Sequence, residues 1–472
     1  MSVRRVLIRL ALFAVAPMVS NAAAPPGDGG LSLQDLHSRA LAAGYMAAFT
    51  CSDVFNAGQT PDQIGADDLE GIYVQYQELV RRLPAAQIDR AKHMVSVKYD
   101  DKLPPRISAW RPSLGCTELP IGAGPETASS LPVLTAMRPA GDMDSLGWPQ
   151  GDANALPATK QPTALSEVIG RSFDGNTYGA ETKTTAVIVI RDGKILAERY
   201  RDGYDMHTPQ RTWSVAKSIT ATLVGRAVQL GLVKVDDPAD IPEWKHTGDP
   251  RAVITLGMLL HMNSGLWTNG PGNRTDEIYL GGGSVTQWAA AMPLETSPGT
   301  RFRYSNDDAL LAVRSLRASL GEGQAAIDFP FTELFWRIGM FHTTPETDWQ
   351  GNYVLSSQVW TTARDIARLA LLYINDGVWN GQRLLPEGWS KFVATPAGAQ
   401  PPTGAGYGAF FWLYGPEQGL PEGTYLMNGN RGQYIFIVPS RKVVIVRRGF
   451  DAENSGIFDI ARFGHDTLAA LK

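Results

Sequence analysis

The chain has 472 residues, enough for a large catalytic domain with a smaller unit beside it. Its 44% hydrophobic and 19% charged content is that of an ordinary globular protein. A net charge of −4 offers no basic footprint, so neither nucleic acid nor an acidic membrane surface is expected as a partner.

Residues 1–24 read as an export signal. Arg4, Arg5 and Arg9 precede a short apolar run from Leu10 to Val19, and Ala22 and Ala24 offer cleavage sites. The run is too short to span a bilayer, and no cysteine lies near it to carry a lipid. The mature protein is therefore expected in the periplasm or outside the cell, without a stable membrane anchor. In such an oxidising compartment one disulfide between Cys51 and Cys116 is the simplest expectation, with two buried thiols as the alternative.

Residues 25–117 read as a small N-terminal α/β module. Its elements are a helix over 31–49, a second over 66–83, and strands over 93–99 and 106–110, with Pro104 and Pro105 breaking between the strands. The module carries no recognisable chemistry; it reads as a passive structural extension, or as a rim or lid over a neighbouring site. Residues 118–161 are rich in Pro, Gly, Ala and Ser and read as a linker or long surface excursion, not a folded layer. That places a main domain at 162–472.

The main domain opens with a helix over 163–173 and a hairpin, 184–191 and 194–200, turned by Asp192 and Gly193. The stretch RTWSVAKSIT (211–220) then starts a buried helix. Ile219, Leu223, Val224, Ala227 and Val228 recur at helical spacing, and Gly231 offers a stop. Further helices are expected over 255–260, 309–320 and 362–375, with a Gly- and Asn-rich mobile loop at 270–283. Strands over 432–438 and 442–448 and a helix over 456–471 close the chain. This order predicts an α+β fold in α/β/α layers. An antiparallel sheet drawn from both ends of the domain is flanked by helices, beside a largely helical second lobe. The lack of regular strand–helix alternation argues against a doubly wound parallel sheet.

Ser214 and Lys217 stand three apart, so on a helix a hydroxyl and an amine share one face, the Ser-Lys form of an activated nucleophile. Alone the spacing is weak, since Ser-x-x-Lys arises about once by chance in a chain this long. Tyr304, Ser305 and Asn306 add a phenol, a hydroxyl and a carboxamide on a loop, and a phenol beside an ammonium is expected to ionise closer to the working range. The Ser214 N–H and an edge strand would supply oxyanion donors. Asn428, Gly429, Asn430 and Arg431 precede a strand and fit that place, the glycine letting substrate approach the backbone. There is no Gly-x-Ser-x-Gly elbow, no zinc helix and no phosphate or dinucleotide loop. The seven histidines are scattered, His261 reads as a structural hydrogen-bonder, and two cysteines are too few for a metal site. No metal and no cofactor are expected.

Four blocks in order make a pattern: Ser-x-x-Lys; a leucine-rich helix ending His-x-x-Ser-Gly-Leu; Pro-Gly-x-x-Phe-x-Tyr-Ser-Asn; and Gly-Gln-Tyr-x-x-x-x-Pro. Over roughly residues 160–472 the chain resembles the serine β-lactamase and penicillin-binding-protein superfamily, class C-related branch. Within that branch it is most similar to the 6-aminohexanoate-dimer hydrolases and related esterases. The resemblance implies Ser214 as the acylated nucleophile, Lys217 as its base or proton partner, Tyr304 as a second acid/base, and Asn306 as the residue that orients substrate and Lys217. Which of Lys217 and Tyr304 takes the first proton stays open. The lactamase and peptidase members carry Lys-Thr-Gly on the strand edge to hold a substrate carboxylate. The stretch MNGNR (427–431) lacks it, and Arg431 is not a like-for-like replacement. The sequence therefore points to an exported serine hydrolase acting on a small linear amide or ester. A β-lactamase or D-amino-acid peptidase is the first alternative, and a non-catalytic ligand-binding module on the same scaffold the second. The oligomeric state is not readable from the sequence.

Overall fold

The run TTAVIVIR is apolar at successive positions, the mark of a strand covered on both sides. In the computed structural model, which describes residues 32–153, 161–268, 275–453 and 455–471, this strand (Thr184–Arg191) lies inside a seven-stranded antiparallel sheet. Across the sheet the order is Gly406–Tyr407, Trp412–Tyr414, Thr424–Gly429, Gln433–Val438, Val443–Gly449, Thr184–Arg191 and Lys194–Tyr200. The strands at the end of the chain thus pair with the hairpin that opens the domain, Val444 opposite Ile190 and Val446 opposite Ile188.

Alternation along the strands sorts their side chains into two cores. Ile188, Ile190, Ile435, Ile437, Val444 and Val446 face helices Val215–Gln229 and Ala363–Ile374. Val187, Val189, Phe436, Val438, Val443 and Ile445 face helices Thr163–Ser172 and Ile460–Ala469. The three α/β/α layers expected from element order are present. The helical lobe, with Leu256–Leu260, Asn306–Ser319 and Gln324–Pro330, sits against the first core.

The N-terminal module differs from expectation in three ways. Its four strands, Gln87–Asp89, Met94–Val97, Arg106–Arg111 and Gly115–Glu118, form an antiparallel meander, of which only the middle two were legible. The helix expected over 66–83 is two helices, Pro61–Asp67 and Val74–Arg82. The chain breaks between them at Gly71, whose φ of +65° belongs to the left-handed region, and a Cβ there would come within 2.4 Å of Ala452. The first helix, Leu33–Phe55, continues beyond its expected end and carries Cys51, which is bonded to Cys116.

Residues 118–153 form no layer, only short turns at Pro125–Ser130 and Met143–Ser145, yet they do not hang free. Arg111 donates to the Pro132 carbonyl, Trp148 to that of Gly193, and buried Asp152 accepts from both Arg364 and Arg368. The stretch is a surface excursion pinned along the body. The expected export signal at residues 1–24, residues 154–160 of the expected linker and 270–274 of the expected Gly- and Asn-rich loop lie outside the described residues; the rest of that loop carries the short helix Asp276–Tyr279. Among those residues no helix is long and apolar enough to cross a membrane.

Candidate active site

The chain reaches Ser214 through a strained turn. Gln210–Arg211 pairs with Val359–Thr361, and the Thr212 N–H donates to the Val359 carbonyl, which fixes the approach. Trp213 then adopts a φ of 50°, costly for a bulky residue by about 1–3 kcal/mol, with its ring packed on both sides. The Arg211 guanidinium lies 4.2 Å from the Trp213 ring centroid, and Phe49 of the first helix packs at 5.8 Å on the same ring. Ser214 emerges half-buried at the head of Val215–Gln229, whose first N–H groups, those of Val215, Ala216 and Lys217, donate back to the carbonyls of Thr212, Trp213 and Ser214.

One turn on, Lys217 is buried and its Nζ sits among three oxygens. It lies 3.1 Å from Ser214 Oγ, 2.6 Å from Asn306 Oδ1 and 2.9 Å from the Ser356 carbonyl oxygen. Burial pulls its pKa down to about 7, while the carboxyls of Asp307 and Asp308 pull the other way. Those carboxyls are themselves buried at the start of Asn306–Ser319. Desolvation raises Asp307 to about 6 and Asp308 to about 8, the latter accepting a hydrogen bond from Ser264 Oγ at 2.7 Å.

Tyr304 shares a hydrogen bond with Ser214, and Lys217 Nζ lies 4.9 Å from the centre of its ring. The expectation that its phenol ionises more easily is corrected. Burial raises its pKa well above the usual value, and the hydrogen bond with Ser214 offsets only part of that rise. Trp412 stacks on the ring at 5.6 Å and Tyr407 meets it edge-on at 6.0 Å.

The sheet edge closes the site. A Cβ on Gly429 would lie 2.4 Å from the Thr212 carbonyl oxygen and 3.2 Å from the Ser214 nitrogen, so only glycine lets the strand end approach this turn. Asn430 follows it at the exposed end of the strand. Asn428 does not belong here. It stands opposite Tyr434 and alternates with Leu426, so it shares the face turned to the terminal helices. Arg431 does not face substrate either. Its buried guanidinium donates to the carbonyls of Asp67, Glu70 and Asp451 and ties the N-terminal module to the sheet. His261 caps its own helix, with Nδ1 2.9 Å from the Gly257 carbonyl oxygen.

Four further residues at the site had no signature in the sequence: Ser356, Tyr279, Trp412 and Tyr73. Tyr279 hydrogen-bonds the Ser356 hydroxyl next to the carbonyl that holds Lys217. Tyr73 comes from the N-terminal module. It meets the Trp213 ring edge-on at 6.2 Å and lies close enough to Tyr304 to oppose that residue's ionisation. The module thus packs against the turn that presents Ser214. Tyr73→Ala is expected to lower kcat/KM by about 3- to 10-fold, the worth of one aromatic contact, with Ser214 still labelled by a fluorophosphonate. Unchanged kinetics on the best substrate would remove Tyr73 from the site.

Comparison with known proteins places this geometry. The family model described as Beta-lactamase matches residues 177–447, more than half of the chain. The 6-aminohexanoate-dimer hydrolase of Paenarthrobacter ureafaciens is 25% identical over 304 residues, covering 57% of this chain and 72% of that protein. Among solved structures, a presumed 6-aminohexanoate-dimer hydrolase from Bacillus anthracis superposes with a TM-score of 0.53 at 21% identity, covering 72% of this chain and 87% of that one. A class C β-lactamase does so with a TM-score of 0.50 at 17% identity, covering 68% and 98%. At these identities the two structures speak for the fold, and the family match speaks for the lineage. The chain belongs to the β-lactamase family of hydrolases.

Proposed function

We propose that this protein hydrolyses a small linear amide or ester through an acyl enzyme on Ser214, after export from the cytoplasm. The observation that carries the reading is the set of partners around Lys217 Nζ. Asn306 Oδ1 and the Ser356 carbonyl oxygen only accept, so they take two N–H bonds of a neutral amine. The third direction, toward Ser214 Oγ, is left for the lone pair, and a pKa near 7 keeps that lone pair available.

In this reading the Ser214 hydroxyl proton passes to Lys217 as Oγ bonds to the substrate carbonyl carbon. The oxyanion is held by the N–H groups of Ser214 and Asn430, which Gly429 brings together. The C–N or C–O bond then breaks, and the departing amine or alcohol takes a proton from the Tyr304 hydroxyl, which is resupplied from Lys217. Water attacks the acyl ester by the reverse relay and frees Ser214.

The absence of Lys-Thr-Gly favours substrates without an anchoring carboxylate. Met427 is fully buried in the apolar core where the resemblance leads one to look for the lysine, and Arg431 is spent on the N-terminal module. The Cys51–Cys116 bond supports a life in an oxidising compartment, in keeping with the export signal read at residues 1–24. The test is a panel of 6-aminohexanoate oligomers, p-nitrophenyl esters and nitrocefin, read by turnover and by intact-protein mass. Turnover of a linear amide or ester with an acyl mass trapped on the Ser214 peptide is the expected result. Nitrocefin turned over faster than every linear compound would hand the site to β-lactams.

A further inference from the structure

The histidines scattered along the sequence do not all stay apart. His207 and His342 come together with Asp144 and Asp152, from three separate stretches of chain, so that one ligand atom from each lies within 4.8 Å of the others. The imidazole rings are 5.0 Å apart. His342 Nε2 is 2.8 Å from Asp144 Oδ1, while His207 Nε2 stands 3.7 Å from Asp152 Oδ2, beyond a hydrogen bond. That His207 nitrogen is shielded from water and has no hydrogen-bond partner among the described residues. A buried ring nitrogen facing a carboxylate across such a gap needs something between them.

We propose that these four residues form a site for a divalent transition metal of the zinc class. Two imidazole nitrogens and two carboxylate oxygens are a donor set that zinc accepts, with bonds of about 2.0–2.2 Å and a tetrahedral arrangement. Closing the present spread to that geometry takes small side-chain rotations. His207 has freedom for them, since its side chain is 39% exposed on a turn held by Asp205.

The surroundings tolerate the added charge. Asp152 presents Oδ1 to Arg368 and Arg364, which orient it and leave Oδ2 for the metal. Around the cluster stand the carboxylates of Asp144, Asp152, Asp365 and Glu198 against the guanidinium groups of Arg138, Arg364 and Arg368, so the balance is negative. This arrangement of outer partners resembles what holds ligands in place at structural metal sites.

The position suggests what the metal does. His342 directly precedes strand Thr343–Pro345, and His207 precedes Gln210–Arg211. Both strands pair with Val359–Thr361, in the small sheet that leads the chain into Ser214. Asp144 and Asp152 belong to the pinned excursion. A metal here clips that excursion to the sheet supporting the nucleophile turn and is a structural device, not a participant in hydrolysis.

The test uses the full mature chain, stripped by chelation, and Zn²⁺ alone as the probe. One equivalent is expected to bind tightly enough to compete with a micromolar chelating dye and to raise Tm. His207→Ala and Asp144→Asn are each expected to weaken binding by about 10-fold or more, with fluorophosphonate labelling of Ser214 unchanged. X-ray absorption of the loaded protein is expected to show two imidazoles on the metal. No saturable Zn²⁺ binding would overturn the proposal, leaving the cluster an ion-pair network only. Binding that survives His207→Ala and Asp144→Asn at full affinity would overturn it equally, by placing the metal elsewhere. His207 lies on an exposed turn, so its replacement tests the site even if changes at Asp152 or His342 impair folding.

Discussion

Ser214→Ala is expected to abolish turnover of every substrate the wild type accepts, by roughly 10⁴-fold or more, and to abolish fluorophosphonate labelling. The fold should survive. Ser214 is half-buried, its side chain caps no helix N–H, and its φ of −65° and ψ of −7° suit alanine equally. What remains in the mutant would report catalysis by the oxyanion donors and the walls of the cleft. Wild-type turnover in Ser214→Ala would end the acyl-enzyme reading outright. Labelling that persists at another serine would show the nucleophile to be misassigned.

The second large effect concerns Lys217. Burial sets its folded pKa near 7, far below the 10.5 of an exposed amine. Below that value the amine carries a proton and cannot take another from Ser214; above it the lone pair is free. The profile of kcat/KM is therefore expected to rise through about pH 7 and level off above it. The same protonation difference bears on stability. Between about 7 and 10.5 the unfolded chain holds a proton on Lys217 that the folded chain has released, so stability from this group rises with pH across that window. Lys217→Ala is expected to cost about 10²–10⁴-fold in kcat/KM and to erase the limb near pH 7. A rate still climbing at pH 10 would instead give the first proton to Tyr304, whose phenol burial keeps protonated over the neutral range. The two assignments left open by the motif are separated by this one measurement.

Much of the site was legible because its signals are local. Asp192 and Gly193 both take positive φ, 50° and 76°, and the hairpin around them has the ends that the alternation indicates. Gly231 ends the helix Val215–Gln229 at a φ of 72°, and the Ser214–Lys217 spacing puts both groups on one face. The strand Thr424–Gly429 was missed, and with it the reason Gly429 is needed, because that reason is the nearness of a turn more than 200 residues earlier. Arg431 illustrates the same limit. Its charge suggested a substrate contact, whereas three carbonyls from the N-terminal module and the sheet edge claim it.

The sequence by itself determined the hairpin and closing strands of the main sheet, the hydroxyl and amine on one helix turn, the cysteine pair and the family. Each of these is written in spacing, turn chemistry or a short motif, which act over a few residues. Only the tertiary structure decided the protonation states of Lys217 and Tyr304, the place of Tyr73 beside Trp213, and the convergence of His207, His342, Asp144 and Asp152. Desolvation and the meeting of distant side chains are set by contacts between remote segments, and those exist only once the sheet has brought the two ends of its domain together.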